Sequence, residues 1–189
     1  MKISLQDIIN KIKEVLITPK AFWNSNKETG IGFSELLGGY FLPILLVTVL
    51  AVFLGEFFRS AHFYVAFAIL KALRELVLFL IEFLIAVYFT NELLKTFGGE
   101  KNIKLSRLLV TYSFTPFLLV SMVTGLFPFL YPLDILGIYG FYIFWIGGKQ
   151  LLVLPQQKMD SYLILTIVVN FITFGFVSII LSKLLMYYY

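Results

Sequence analysis

The sequence predicts an all-α, polytopic integral membrane protein with five transmembrane helices preceded by an amphipathic interfacial helix. Two observations predict it. Of the 189 residues, 60% are hydrophobic and 14% are charged, against roughly 45–50% apolar and 25% charged in soluble domains. Mean hydropathy is +0.92, and uncharged runs recur at the length of about 20 residues that crosses a hydrocarbon core of about 30 Å. In hydrocarbon every backbone polar group must be satisfied inside its own segment, so such runs form helices.

Residues 1–32 are expected to form a cytoplasmic amphipathic helix and linker, and residues 33–189 a five-helix membrane domain. Leu5, Ile8, Ile9, Ile12, Val15 and Leu16 recur at the spacing of one helical face, with Lys and Asp opposite. Ser4 and Asp7 resemble a capping arrangement, and Thr18-Pro19 supplies a stop. Asp7, Lys11, Lys13 and Glu14 interrupt what a secretory signal would need as its apolar region. One reading lays this helix in the membrane interface, with Lys11 and Lys13 toward lipid phosphates and Trp23, beside Phe22, in the interfacial aromatic belt. The other packs the helix on the cytoplasmic face of the membrane domain. Residues 24–32 read as a polar linker.

The expected spans are about 36–55, 72–91, 108–127, 133–154 and 161–182. Gly38, Gly39 and Pro43 in the first imply close packing or a bend. Residues 57–97 allow one long helix from about His62 to Lys95, with Lys71 and Glu75 paired one turn apart, or a short interfacial helix at 63–70 followed by a turn. Residues 98–104 form a basic loop. The third and fourth spans form a hairpin. Pro116 cannot donate to the Tyr112 carbonyl, so the helix bends there, and the hydroxyls of Ser113 and Thr115 are candidates to satisfy the freed group. Pro128 sits at the reversal, and Gly137, Gly140, Gly147 and Gly148 let helix backbones approach. The last span carries Asn170 about midway, and Tyr187–Tyr189 close the chain as an interfacial aromatic cluster.

Orientation follows from the basic residues. With the amino terminus cytoplasmic, that side holds five lysines up to Lys27, four basic residues from Lys95 to Arg107, and Lys149 and Lys158. The opposite side, which then holds the carboxyl terminus, has Arg59, Lys71, Arg74 and Lys183. Eleven against four is a clear positive-inside bias. It also accounts for the net charge of +4, which in a soluble protein would point to nucleic acid; no nucleic-acid partner is expected.

Chemistry has few places to reside. The chain has no cysteine, which excludes disulfides and thiolate chemistry. Its single histidine, His62, leaves no common zinc constellation within one chain. No nucleophile with a neighbouring base is evident, so no enzymatic activity, cofactor or metal is expected. The polar residues at membrane depth are the exception. Glu82 stands out, because a charged side chain at the bilayer centre costs about 2.5–3.5 kcal/mol on insertion scales and usually faces a cavity or a partner. Glu82, Glu75, Asn170 and Tyr112 make up the expected intramembrane polar or ligand site. Either Glu82 serves as a proton or cation ligand with Glu75 and Asp134, or its carboxyl is hydrogen-bonded and holds helices together, with Tyr112, Thr111 or Asn170 as neighbours. Pro116, Pro128, Gly137 and Gly140 shape and pack the hairpin.

Tyr112-Ser113-Phe114-Thr115-Pro116-Phe117-Leu118-Leu119, then Gly125, then Tyr139-Gly140-Phe141-Tyr142, then Leu151 to Pro155, resemble the Yip1 domain family. That resemblance implies a small five-span membrane protein. Eukaryotic members bind small Rab-type GTPases and act in traffic between endoplasmic reticulum and Golgi. Their long cytosolic amino-terminal extension has no counterpart here, so the expectation is a prokaryotic relative in the plasma membrane, or an endomembrane protein if the source is eukaryotic. The expected function is non-enzymatic, through lipid and protein contacts that organise the membrane or recruit a partner, with membrane lipids and a protein partner or second copy as ligands. The alternative is a small transporter or channel with Glu82 lining an ion or solute path.

Overall fold

The computed structural model describes residues 5–26, 32–59 and 63–187; the expectations at Ser4, Lys27, His62 and Tyr188–Tyr189 lie outside them. The described residues form helices joined by short turns, with no strand among them. Among the described residues, four helical segments are long and apolar enough to cross a membrane: Phe33–Phe58, Ile103–Leu126, Pro128–Leu151 and Gln156–Tyr187.

Helix α1 (Leu5–Ile17) ends at Thr18, and α2 (Pro19–Ser25) opens with Pro19 in its first turn, where a missing N–H costs nothing. Because α2 runs to Ser25, the start of the expected 24–32 linker is helical. Ile8 and Val15 of α1 are buried, while Leu5 and Ile17 are exposed. Lys13 is exposed and Lys11 half-buried.

Helix α3 (Phe33–Leu36) passes through a π-helical turn, Leu37–Phe41, into α4 (Leu42–Arg59). The wide turn lies over Gly38 and Gly39 just ahead of Pro43, so the expected irregularity takes the form of a π bulge.

Helix α5 (Val65–Thr96) is a single 32-residue helix, about 48 Å long at 1.5 Å per residue. The continuous reading of this region therefore describes it, and the short helix at 63–70 does not. The expected Lys71–Glu75 pair is replaced by two others. Lys71 turns to Glu56 on α4, and Glu75 is held by its neighbour Arg74 at 2.8 Å and by the Ser121 hydroxyl at 2.5 Å. Tertiary partners on α4 and α7 thus prevail over the local one-turn pairing, which is worth only a few tenths of a kcal/mol.

Helices α6 (Ile103–Ser113) and α7 (Thr115–Leu126) are separated at Phe114, two residues before Pro116, which places the break where the missing donor requires it. The two hydroxyls do not cap the freed carbonyl. Thr115 instead bonds Tyr40 at 2.9 Å, and the buried Ser113 Oγ has no hydrogen-bond partner among the described residues.

Pro128 opens the return segment, as a 3-10 helix over Pro128–Ile138 that leads into α8 (Tyr139–Leu151). The return pass is thus not one α-helix over 133–154. Pro132 cannot donate to the Pro128 carbonyl in an α ladder, and the chain is already extended at Leu152, ahead of Pro155. Helix α9 (Gln156–Tyr187) is unbroken over 32 residues, longer than the expected span.

Helix α4 packs on α5 and α7, and α5 packs also on α9. The α4–α7 approach is backbone to backbone: a Cβ on Gly55 would run into the Gly125 carbonyl. Gly140 packs on Phe117 and the Ser113 carbonyl, where a Cβ would lie 2.5 Å from each.

Trp23 overturns the expectation of lipid-surface contact. It is 0% exposed, its indole N–H donates to the Ile143 carbonyl at 3.2 Å, and its ring lies against Gly147, where a Cβ would sit 2.5 Å from Cε2. The absent side chain at Gly147 opens the slot that the indole fills. Phe22 is buried too, and Phe22, Trp23, Tyr40 and Tyr112 form one aromatic cluster with ring centroids 4.7–5.9 Å apart.

Candidate functional site

The site is an amphipathic cavity of about 910 Å³ bounded by α4, α5, α7, the 3-10 segment, Phe141 of α8 and α9. Three helices each contribute a stripe at helical spacing: Lys71, Glu75, Leu78 and Glu82 from α5, Phe117, Ser121 and Thr124 from α7, and Asn170, Phe174 and Ser178 from α9.

At the Lys71 end of the cavity the charges are matched in pairs. Lys71 meets Glu56. Arg74 reaches Glu75 through Nη1 at 2.8 Å, while Nη2 donates to the hydroxyls of Ser178 and Ser182 on α9 at 2.6 and 3.0 Å. The planar guanidinium suits this task, since it presents several donors in a fixed fork. Asp134 accepts from the Thr124 hydroxyl at 2.7 Å, tying the 3-10 segment to α7.

Glu82, two turns along α5 from Glu75, is 1% exposed. Its Oε2 lies 3.5 Å from the Thr173 hydroxyl, and its Oε1 has no hydrogen-bond partner among the described residues. Phe79, Phe114, Phe117, Phe141, Phe171 and Phe174 supply the apolar wall.

Three of the four expected polar residues, Glu82, Glu75 and Asn170, thus line one cavity, and Asp134 joins them. Tyr112 does not: it lies in the aromatic cluster with Phe22, Trp23 and Tyr40. Thr173, not Tyr112 or Thr111, is the hydroxyl beside Glu82. Pro128 and Gly137 line the cavity, and Pro116 sets the break at Phe114, whose ring lines it. Lys149 stands apart, paired with Asp160 at 2.8 Å and lying over the Trp145 ring. Sequence reasoning missed Arg74, Ser121, Thr124 and the phenylalanines. The signal for them is the four-residue spacing that Asn170, Phe174 and Ser178 share, and that links Phe117 to Ser121. Among the described residues no group of three or more His, Cys, Asp or Glu comes together to hold a metal ion.

Apolar helices of spanning length around a partly polar central cavity define a multi-pass integral membrane protein. Its family is equally plain. The Yip1 domain matches residues 13–179, and the chain belongs to that family, a non-catalytic membrane family whose members interact with membranes and proteins. No curated protein and no solved structure gives a significant match to the chain.

Proposed function

We propose that this chain acts without catalysis, through lipid and protein contacts, as a five-span protein of a prokaryotic plasma membrane. In this reading α5 is the fifth crossing, the amino terminus is cytoplasmic, and the cavity receives part of an amphiphilic molecule. The observation that carries it is the cavity itself: an aromatic wall joined to a stripe of polar groups at membrane depth matches the division of a lipid into apolar and polar parts. The length of α5 and its place between α4 and α9 support a fifth crossing. The excess of basic residues on one side supports the orientation, and the exposed Lys13 and Leu5 of α1 suit a helix at the cytoplasmic lipid surface.

Two experiments test this. Single cysteines replacing Lys13 and Met186 in this cysteine-free chain are expected to label from opposite faces; labelling from one face sinks the odd number of crossings. Reconstituted protein is expected to retain lipid through purification and to pass no solute. The second reading, a small transporter or channel, is favoured by the placement of buried Glu82 on the cavity wall. Cation or solute uptake by the liposomes that Glu82→Gln abolishes would decide for it.

A further inference from the structure

Two acceptors at the Glu82 end of the cavity lack a partner. Lys71, Glu75 and Asp134 already have protein partners, and Arg74 has partners at both terminal nitrogens though not at its buried Nε. Glu82 has almost none. The Thr173 hydroxyl has one proton and a shorter bond, 3.1 Å, to the Asn170 carbonyl than the 3.5 Å contact it makes with Glu82, so the carboxyl is in effect without a donor. Glu82 Oε1 and Asn170 Oδ1, both residues on the cavity wall, are buried and have no hydrogen-bond partner among the described residues. Buried acceptors of this kind call for a donor.

The surrounding rings select the sign of that donor. Phe79, Phe114, Phe117 and Phe174 form a connected set, with centroids 6.0–6.5 Å apart. Aromatic faces attract cations, and a buried carboxyl repels anions. Metal ions such as calcium want roughly six or more oxygen ligands, whereas a primary ammonium brings three N–H donors of its own and needs only acceptors. A volume of about 910 Å³ far exceeds an ammonium group, and the apolar part of the wall suits an apolar body.

The geometry points to a binding site for a primary amine with an apolar tail, its ammonium bonded to Glu82 Oε1 and Asn170 Oδ1 and its tail along the phenylalanine wall. The ethanolamine headgroup of a phospholipid and a free long-chain amine both offer this chemistry. The inference rests on the reading that the cavity receives an amphiphile, and it adds which headgroup chemistry is taken.

The test uses the full chain in phosphatidylcholine nanodiscs with radiolabelled decylamine as the probe, and decanol and decanoate as matched neutral and anionic controls. Decylamine is expected to bind saturably, with decanol and decanoate weaker by about tenfold or more, and Glu82→Gln and Asn170→Leu are each expected to weaken decylamine by a similar factor. Elution volume and far-UV circular dichroism establish that the variants are folded, and the decylamine-to-decanol ratio on the unaltered chain needs no variant. Competition by phosphatidylethanolamine nanodiscs, with none from phosphatidylcholine, identifies a lipid headgroup as the source; absence of competition identifies a free amine. Equal binding of decylamine and decanol, unaffected by Glu82→Gln, overturns the ammonium site. If lipid still co-purifies in that case, the broader amphiphile reading survives, whereas solute flux overturns that reading whatever the amine result.

Discussion

Replacing Trp23 by alanine should cost about 3–5 kcal/mol, the range for truncating a buried tryptophan. The parts of that figure are visible. The ring has edge contacts with Phe22 and Tyr112 at 5.1 and 5.9 Å, each worth about 0.5–1.5 kcal/mol. The indole bond to the Ile143 carbonyl adds about 1 kcal/mol, and lost packing in the slot over Gly147 supplies the remainder. Gly147→Ala attacks the same contact from the other side, since its methyl would lie 2.5 Å from Trp23 Cε2 and 2.6 Å from Leu109 Cδ1; overpacking of this kind costs about 1–3 kcal/mol. The double variant is the sharper test. With the indole gone, only the overlap with the flexible Leu109 side chain remains, and the pair should cost less than the sum of the singles by about 1 kcal/mol. Titration of the folded protein in mild detergent with sodium dodecyl sulfate, followed by far-UV circular dichroism, measures all three. A Trp23→Ala cost below about 0.5 kcal/mol, with additive behaviour in the double variant, would return Trp23 to the lipid surface and refute the packing argument.

Three further predictions use the same titration. Tyr40→Phe leaves the buried Thr115 hydroxyl unpaired and should cost about 1–2 kcal/mol; a cycle with Thr115→Val should return a coupling of about 0.6–1.7 kcal/mol, and zero coupling would show that this bond does not hold the π-helical turn to the α6–α7 break. Gly55→Ala should cost about 1–3 kcal/mol or more, because the atom it meets is the Gly125 carbonyl, which only a shift of α4 or α7 can relieve; a neutral result would mean the two helices are not in backbone contact. Arg74→Gln should cost about 3 kcal/mol by leaving Glu75 without its cation, and Arg74→Lys should recover only part of it, since one ammonium cannot reproduce the fork onto Glu75, Ser178 and Ser182. Full recovery by lysine would show that charge, not geometry, is what matters there.

What the chain reveals in one dimension depends on the range of the interaction. Apolar run length and proline chemistry are local, so the membrane class, the break ahead of Pro116 and the reversal at Pro128 were legible. Tertiary substitution for a local partner was not. Lys71 and Glu75 stand one turn apart, yet Lys71 pairs with Glu56 of α4 and Glu75 with its neighbour Arg74 and the Ser121 hydroxyl of α7, and Trp23 looks interfacial until Gly147, 124 positions later, is seen to leave room for it. The 3-10 course of Pro128–Ile138 was equally hidden, because its apolar pattern is that of any spanning helix.

The site was half legible for a related reason. A carboxyl in an apolar run announces itself, since burying it unpaired is costly, and Glu82 and Glu75 share a face by spacing alone. Nothing local says which hydroxyl or ring faces them. That depends on α7 and α9 lying beside α5, and on Arg74 taking Ser178 and Ser182 of α9 as partners. Once those contacts are known, the two glutamates part company: Glu75 is held by Arg74 and Ser121, whereas Glu82 Oε1 is buried with no hydrogen-bond partner among the described residues. Identical side chains seven residues apart therefore end up satisfied or unsatisfied according to the neighbours that the fold supplies.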